Sequence, residues 1–493
     1  MKVWFIRSFS VRLVWVIAVA GFSLNLAGCD DGEPVKHKPP VVNPEIGKAQ
    51  YWVTTGDRAL LLTRQSDISI TKPAVTNLPI VKVDADETYQ SIEGFGAALT
   101  GSSAYLMNKK LSATQRQALI KDLFDPNTGI GISALRLTIG ASDFSLRDFT
   151  YNDIPSGEAD FDLEHFSIDE ERTDLLPVLK AINSTAADLT IMASPWTAPP
   201  WMKTNGSYYG GSLKTEAYEV YANYFVRYID AMADEGIDID AITIQNEPLH
   251  TTSYPTMSMS AEEQKNFVKN NLGPTFANSG TDTKIILYDH NWDNPQYPIS
   301  IMNDATAKQY VEGSAFHAYG GSVSAMSTVH NAHPDKGLYF TEISGGNWAT
   351  DFGANLQWNM ANIFIGTTKN WSRTALLWNL ALDENFGPTN NGCSDCRGVV
   401  TINSSTGAVT KNVEYYSIGH FSKFVRNGAH RIEAAASSTV AGVDYVAFVN
   451  PEGSRVMVFS NSGPNQEMIA VEEGDKQFTA SLPASSVVTI VWD

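Results

Sequence analysis

The sequence predicts a (β/α)8 barrel with a side β-sandwich assembled from both ends of the chain, and two patterns predict it. From residue 91 to about residue 382 one unit recurs: a short β-rich apolar run, a polar loop, then a stretch of helical periodicity. Eight such runs fall within about 300 residues, more than a doubly wound sheet usually holds, so the parallel strands are expected to close on themselves. On both sides of that region the pattern changes to period-two alternation broken by Gly, Pro and Asn turns, which marks antiparallel strands.

Taken in order, residues 1–28 carry Lys2, Arg7 and Arg12 ahead of an uncharged stretch from Leu13 to Ala27. These are the basic and apolar regions of an export signal, too short for the ~20 apolar residues of a stable span. Leu26-Ala27-Gly28-Cys29 resembles a bacterial lipobox, which implies that Cys29 becomes a lipidated N-terminus anchoring an exported protein to a membrane of the cell envelope. Residues 29–48, rich in Pro, Val and charge, read as a semi-extended linker. Residues 49–88 hold the first part of the sandwich, with strands at 49–55, 59–63 and 78–83. The barrel is placed at 89–428, with strands at 91–99, 134–139, 189–196, 241–246, 284–288, 314–319, 338–341 and 375–378. Helices are expected between them, for example at 113–124, 216–235 and 261–271, with a last one near 413–425. Residues 429–493 complete the sandwich as an antiparallel meander with strands at 443–449, 455–460, 466–471 and 487–492.

The 493 residues are 43% hydrophobic and 18% charged, the balance of an ordinary globular protein. Thirty-five Lys and Arg against 54 Asp and Glu give a net charge of −19, which repels phosphate backbones and argues against nucleic acid as a partner. A neutral substrate fits that field, which also keeps an exported monomer soluble. With Cys29 assigned to the anchor, Cys393 and Cys396 remain in a Gly/Asn-rich loop. No second Cys/His cluster accompanies them, and they do not open a helix after a strand. A metal site and a redox pair are therefore disfavoured, and a short disulfide that stiffens the loop is expected, with no metal and no cofactor.

In such a barrel the site lies at the C-terminal ends of the strands. The fourth run ends Ile244-Gln245-Asn246-Glu247-Pro248 and the seventh ends Phe340-Thr341-Glu342-Ile343. Strands four and seven face each other across a barrel of eight, so two carboxylates meet over one pocket. That is the minimum apparatus for glycoside hydrolysis: one protonates the leaving oxygen while the other attacks or activates water.

Gly94-Phe95-Gly96, Arg136-Leu137-Thr138-Ile139, Ser142-Asp143-Phe144-Ser145, Ser194-Pro195-Trp196-Thr197-Ala198-Pro199-Pro200-Trp201, Asn246-Glu247-Pro248, Trp378-Asn379 and Gly419-His420-Phe421 occur in that order. Together they resemble glycoside hydrolase family 30, which includes glucocerebrosidase and β-1,6-glucanases. The resemblance implies a barrel with a side sandwich and retaining chemistry, with Glu247 as general acid/base and Glu342 as nucleophile. It implies further that Asn246 binds the sugar 2-hydroxyl and that Trp196 and Trp378 wall the pocket. His317 and Tyr319 would orient Glu342 and line the pocket, and Asp143 would touch substrate or cap its loop. Arg136 is expected to lower the pKa of Glu342, while apolar walls and the charge of Glu342 keep Glu247 protonated. After the first strand Gly101 stands where the resemblance places an acidic residue in glucocerebrosidase-like members, which predicts an open wall and cleavage within the chain. The reading is a retaining β-glucanase acting on β-1,6-glucan. The alternatives are an exo-acting β-glucosidase of glucosylceramidase type and a glycan-binding lipoprotein that would tolerate loss of either Glu. A barrel lyase or aldolase would want a strand-end Lys or a metal cluster, and the strand-end residues supply no such Lys.

Overall fold

The computed structural model describes residues 43–186 and 188–493. The export signal, Cys29 and most of the expected linker lie outside the described residues. A closed barrel of eight parallel strands forms the centre. These strands are β1 (Gly94–Ala98), β2 (Ala134–Ile139), β3 (Thr190–Pro195), β4 (Ala241–Thr243), β5 (Lys284–Asn291), β6 (Gly313–His317), β7 (Gly337–Glu342) and β8 (Ser372–Asn379), and β8 pairs with β1 to complete the circle. Every expected barrel strand is present. The fourth is shorter than its apolar pattern suggested, because the chain leaves the ladder after Thr243.

Beside the barrel lies a ten-stranded sheet, four strands of which precede the barrel in sequence and six of which follow it. An extra pairing of Glu45–Thr55 with Ile68–Thr71 closes this sheet into a ring. Several sequence boundaries need correcting. The first strand starts at Glu45, inside the expected linker, because residues 45–49 find a partner in Ile68–Thr71 that a local reading cannot see. Residues 59–62 form a turn, and only Thr63–Arg64 pair. His430–Ala436 and Lys476–Leu482 are additional strands, half-exposed in the first case and irregular in burial in the second, so their alternation is weak. The C-terminal strands are not a simple meander, since 470–472 run parallel to 80–82.

Period-two alternation explains how this sheet serves two cores at once. Val446, Phe448, Val456, Val458 and Val487 join the core shared with the barrel's helices, whereas Ala447, Met457, Phe459, Val488 and Ile490 on the opposite face fill the sandwich. The helix Val413–Ser422 carries Phe421 against Phe448 across this junction, with ring centroids 6.0 Å apart.

His420 on the same helix is fully buried between Thr489 Oγ1 and Thr54 Oγ1, each 2.8 Å from a ring nitrogen. Burial without a carboxylate pushes its pKa down to about 3. Below the unfolded value of ~6.5 the unfolded chain takes up a proton that the native state refuses, so stability falls as pH drops from there toward 3. Between pH 7 and 4.5 wild type should lose on the order of 2 kcal/mol more than His420→Gln, read from denaturant unfolding at each pH. Parallel pH slopes for the two proteins would rule this out.

Candidate active site

The barrel interior is layered, and the layers explain the site. Met192, Ala241, Ile286, Ala315 and Tyr339 form an apolar floor. Two residues further along, the strands present Ser194, Thr243, His317 and Thr341 to the same interior, and β2 adds Arg136 two residues after Ala134. On β5 the step is three residues, because a bulge inserts between Tyr288 and His290 against β6. Tyr288 and Asp289 take left-handed φ of 71° and 60° there. The bulge brings Asp289 into the layer, in line with the use of such irregularities to re-aim a side chain at an active site.

Asp289 is wholly buried and organises the layer. Its Oδ2 accepts from Arg136 Nη2 at 2.8 Å and from the hydroxyls of Ser194 and Thr243 at 2.7 Å. Its Oδ1 accepts from Thr341 Oγ1 at 2.7 Å and lies 3.0 Å from His317 Nε2. Burial alone would raise its pKa, but the charges of Arg136 and His317 and these hydrogen bonds hold it well below the usual range. Sequence reasoning missed this residue by ending the fifth strand at Tyr288. The available signal was a polar residue one bulge beyond the apolar floor position.

Arg136 distributes its donors across the site. Nη1 is hydrogen-bonded to Glu342 Oε2, and Nη2 reaches the Asn246 amide oxygen at 2.8 Å besides Asp289. Its guanidinium lies 4.9 Å from the Trp196 ring and 5.5 Å from Trp378. Tyr319 donates its hydroxyl to Glu342 Oε1 at 2.9 Å, so both oxygens of Glu342 are fixed. His317, expected beside Glu342, instead bridges Asp289 to Glu247, with Nδ1 3.1 Å from Glu247 Oε1. Glu247 sits on a left-handed backbone, φ 45°, immediately before Pro248, a conformation that costs about 1–3 kcal/mol and is held by its N–H bond to Asp289 O at 3.0 Å. A Glu247 oxygen, a Glu342 oxygen and a His317 nitrogen all lie within 4.8 Å of one another. As a cation site this trio is poor, because the Arg136 guanidinium already occupies one oxygen of Glu342 and both His317 nitrogens face carboxylates.

The protonation pattern differs from the expected one. Burial raises the pKa of Glu342 even though His317 and Arg136 pull it down. Glu247 is buried too, yet the hydrogen bond from His317 and its positive charge bring it below the ordinary value. His317 would be pushed down by burial, but the charges of Glu342 and Asp289 and its two hydrogen bonds lift it to about 9. In the free site the proton of the Glu247–His317 pair therefore rests on the imidazole. Asp143 is raised well above its normal value by burial and by the charges of Glu342 and Glu247, which favour its neutral form.

A pocket of about 370 Å3 opens over these groups, lined by Glu247, Glu342, Asp143, Trp378, Tyr319, Trp348 and both cysteines among others. Trp196 does not line it. It is 2% exposed and stacks on Trp378 with centroids 5.1 Å apart, supporting from behind an indole that does face the pocket. Gly101 is also elsewhere: it opens a short helix, and a Cβ there would meet Ser145 and Phe144. The acidic side chain in the wall comes from the second strand's loop as Asp143, so the open-wall argument from Gly101 does not hold. His290, 8% exposed with Nδ1 unpartnered, also lines the pocket, and burial lowers its pKa to about 4, which keeps it neutral.

Cys393 and Cys396 are disulfide-bonded, and their loop clasps two walls together. Asn390 N and Thr389 Oγ1 both donate to Asp143 O, at 2.7 and 3.1 Å. On the other side Gly346 pairs with Cys396, and Asn347 N donates to Asp395 O at 2.8 Å.

Residues 92–425 match the domain described as the glycosyl hydrolase family 30 TIM-barrel domain, and residues 428–490 match the family 30 beta sandwich domain. The chain is 37% identical over 428 residues to "Endo-1,6-beta-D-glucanase neg1" of Aspergillus fumigatus, covering 82% of this chain and 85% of that one. It is 30% identical over 441 residues to "Lysosomal acid glucosylceramidase" of Mus musculus, covering 84% and 83%. Among solved structures, "The endo-beta1,6-glucanase BT3312" superposes with a TM-score of 0.85 at 36% identity, over 90% of this chain and 99% of that one.

Proposed function

The chain belongs to glycoside hydrolase family 30, and from that premise we propose that it is an endo-acting, retaining β-1,6-glucanase in which Glu247 is the general acid/base and Glu342 the nucleophile. The observation that carries the mechanism is the separation of the two carboxylates. Oxygens of Glu247 and Glu342 lie within 4.8 Å, near the ~5 Å of double displacement and too close for the ~6.5–9.5 Å that an inverting water needs. The linkage rests on the company the chain keeps: relatives from Aspergillus fumigatus, Neurospora crassa and Trichoderma harzianum, at 37, 36 and 35% identity, all bear the name endo-1,6-β-D-glucanase.

When a sugar fills the pocket and displaces water, the Glu247–His317 ion pair loses solvation. Its neutral tautomer, with the proton on Glu247 and His317 Nδ1 accepting, becomes the favoured form. Glu342, held by Arg136 and Tyr319, attacks C1 as Glu247 gives its proton to the glycosidic oxygen; the C1–O bond breaks and the leaving sugar departs neutral. Glu247, now a carboxylate, takes a proton from water, the water oxygen attacks C1, and Glu342 leaves as a carboxylate. The asymmetry of the two supports fits these roles, since the nucleophile is pinned at both oxygens while the acid shares one hydrogen bond along which a proton can move.

The product profile on a panel of β-1,6-glucan, β-1,3-glucan and xylan tests the assignment. Gentiobiose-series oligosaccharides should appear early from β-1,6-glucan while its mean length falls steeply. Release of glucose alone, with chain length nearly constant, would replace this reading with an exo-β-glucosidase.

We propose as well that Cys29 carries a lipid, supported by the lipobox-like Leu26-Ala27-Gly28-Cys29. Wild type should then partition with membranes and Cys29→Ser should not. A fully soluble wild type processed at another residue would refute the anchor.

A further inference from the structure

A cleft of about 360 Å3 lies in the outer layer of the barrel, between the helix Tyr218–Asp234 and the loop that follows β2. It shares no lining residue with the catalytic pocket, yet it nearly equals that pocket's 370 Å3. Leu163 and Val226, the least exposed of its lining residues, form its floor, and Phe161 stands beside them 56% exposed. A single exposed aromatic is ordinary on a protein surface. This one is braced. Its ring meets the Trp201 indole edge against face, with centroids 5.4 Å apart. Trp201 Nε1 donates to Asn152 Oδ1 at 2.8 Å, and the wholly buried Asn152 donates in turn from Nδ2 to Asp160 Oδ2 at 2.9 Å. Asp160 directly precedes Phe161, so ring, indole, amide and carboxylate close a circuit. The same carboxylate accepts from the N–H groups of Glu164 and His165 at 3.0 and 2.8 Å and fixes the turn on the far side of the ring. Inside that turn Leu163 takes a left-handed φ of 54°, a state a Leu adopts only where its surroundings impose it.

The polar lining selects the occupant. Asn223, Arg227 and Asp230 follow one another at spacings of four and three along the helix and share one face, and Asp162 lies on the loop side. All four are exposed. Among the described residues Arg227, Asp162 and Asp230 enter no ion pair, and Asn223 donates once, to Glu219 O at 3.1 Å, which leaves its amide oxygen free. A guanidinium offers only donors, a carboxylate only acceptors and an amide both. A sugar hydroxyl donates and accepts at once, so a pyranose can use every one of these groups while its apolar C–H face lies on the Phe161 ring. One cation against two carboxylates leaves no field for an anionic ligand, and the guanidinium among the carboxylates disfavours a metal ion. An uncharged glycan meets neither obstacle.

We propose that this cleft is a second, non-catalytic glycan site, in which the Phe161 ring and Arg227 hold roughly one or two glucosyl units of the same β-1,6-glucan that the catalytic pocket cuts. The proposal rests on the β-1,6-glucanase reading and adds to it a place where the polymer is kept between cuts. A chain held at two places leaves more slowly than a chain held at one, because the second contact forms at high local concentration. A small glucoside reaches only one site at a time and gains nothing.

The test uses the full-length chain saturated with a glucose-shaped iminosugar, which blocks the catalytic pocket and stops turnover. Affinity electrophoresis through gels containing long β-1,6-glucan then reads the second site alone, and wild type should still be retarded. Phe161→Ala and, separately, Arg227→Ala should weaken that retention by roughly three- to tenfold, and Phe161→Tyr should keep it. Arg227→Ala changes an exposed helix position and leaves the Asp160 turn intact, so it separates lost binding from a lost loop. Without the iminosugar, both alanine variants should lower kcat/KM on the long glucan and leave an aryl β-glucoside unchanged. Wild-type retention that disappears with the iminosugar overturns the second site even when wild type cuts β-1,6-glucan. Retention that neither alanine variant weakens overturns it as well, since the polymer is then held elsewhere. A wild type that does not cut β-1,6-glucan overturns the linkage reading and the proposal with it.

Discussion

Glu342→Ala and Glu247→Ala are each expected to abolish measurable turnover of natural glucan, and they should part company on an activated aryl glucoside. Loss of a positioned acid/base alone costs about 10²- to 10⁴-fold when the leaving group needs a proton. An aryl leaving group does not, so Glu247→Ala should still form the glycosyl-enzyme quickly and stall at its hydrolysis. Added azide then enters the space of the missing carboxylate, attacks C1 from the face opposite Glu342, and yields a β-glycosyl azide. In Glu342→Ala the cavity is on the other face, where azide replaces the nucleophile itself and yields the α-anomer. Proton NMR of the two products decides the matter, and exchanged anomers would reverse the roles. The retained Arg136 and Tyr319 donors around position 342 make the anionic rescue geometrically reasonable.

The second large effect is expected at a residue that does not touch the substrate. Asp289→Ala leaves the Arg136 guanidinium and the His317 imidazolium buried without their shared counter-charge, and removing one partner of such a pair typically costs about 3–5 kcal/mol. Chemical denaturation should show that loss. Asp289→Asn keeps the shape and most hydrogen bonds and separates stability from function. Its kcat should fall far more than its KM rises, and the alkaline limb of its pH–rate profile should move to lower pH, because His317 no longer has the carboxylate that helps lift its pKa to about 9. Wild-type kcat and an unshifted profile in Asp289→Asn would show that the Ser194, Thr243 and Thr341 hydroxyls suffice to hold the layer.

These two expectations mark how far the sequence could be read. Glu247 and Glu342 were legible because each closes an apolar run at a strand exit, and counting runs places them on strands four and seven. Trp378 and Tyr319 also came from strand ends and do line the pocket. Asp289 was hidden because a bulge breaks the period-two rule at the position where it matters, and no propensity marks a left-handed Tyr-Asp pair. The same limit applies to Glu247, whose run reads as strand to Asn246 although the ladder ends at Thr243 and the backbone turns left-handed before Pro248. Trp196 was misjudged for a different reason: the sequence places an indole at the rim but does not say which of two stacked rings is in front. The partner of His317 was missed because the direction in which a ring points depends on the bulge next door. In the sandwich, the strand at residue 45 was decided by the pairing of residues 45–49 with Ile68–Thr71, which no local pattern displays.

The loop closed by Cys393 and Cys396 has a consequence for where in a cell the catalytic pocket is whole. It is a clasp whose two arms reach the Asp143 loop and the Gly345–Gly346 strand after the nucleophile, so both walls depend on one bond between thiols. Surroundings rich in reducing thiols keep such a bond open, and oxidising surroundings close it. The chain can then complete its barrel and its sandwich in either setting, since the bond belongs to a small cluster with Phe144, Trp196 and Trp378 and to neither of the two large cores, while the seat for the sugar is finished only in the oxidising one. Folding and competence become separate events, divided by the redox state of the surroundings. Glucosides held beside this hydrolase among reducing thiols would be shielded from it for as long as the clasp stayed open.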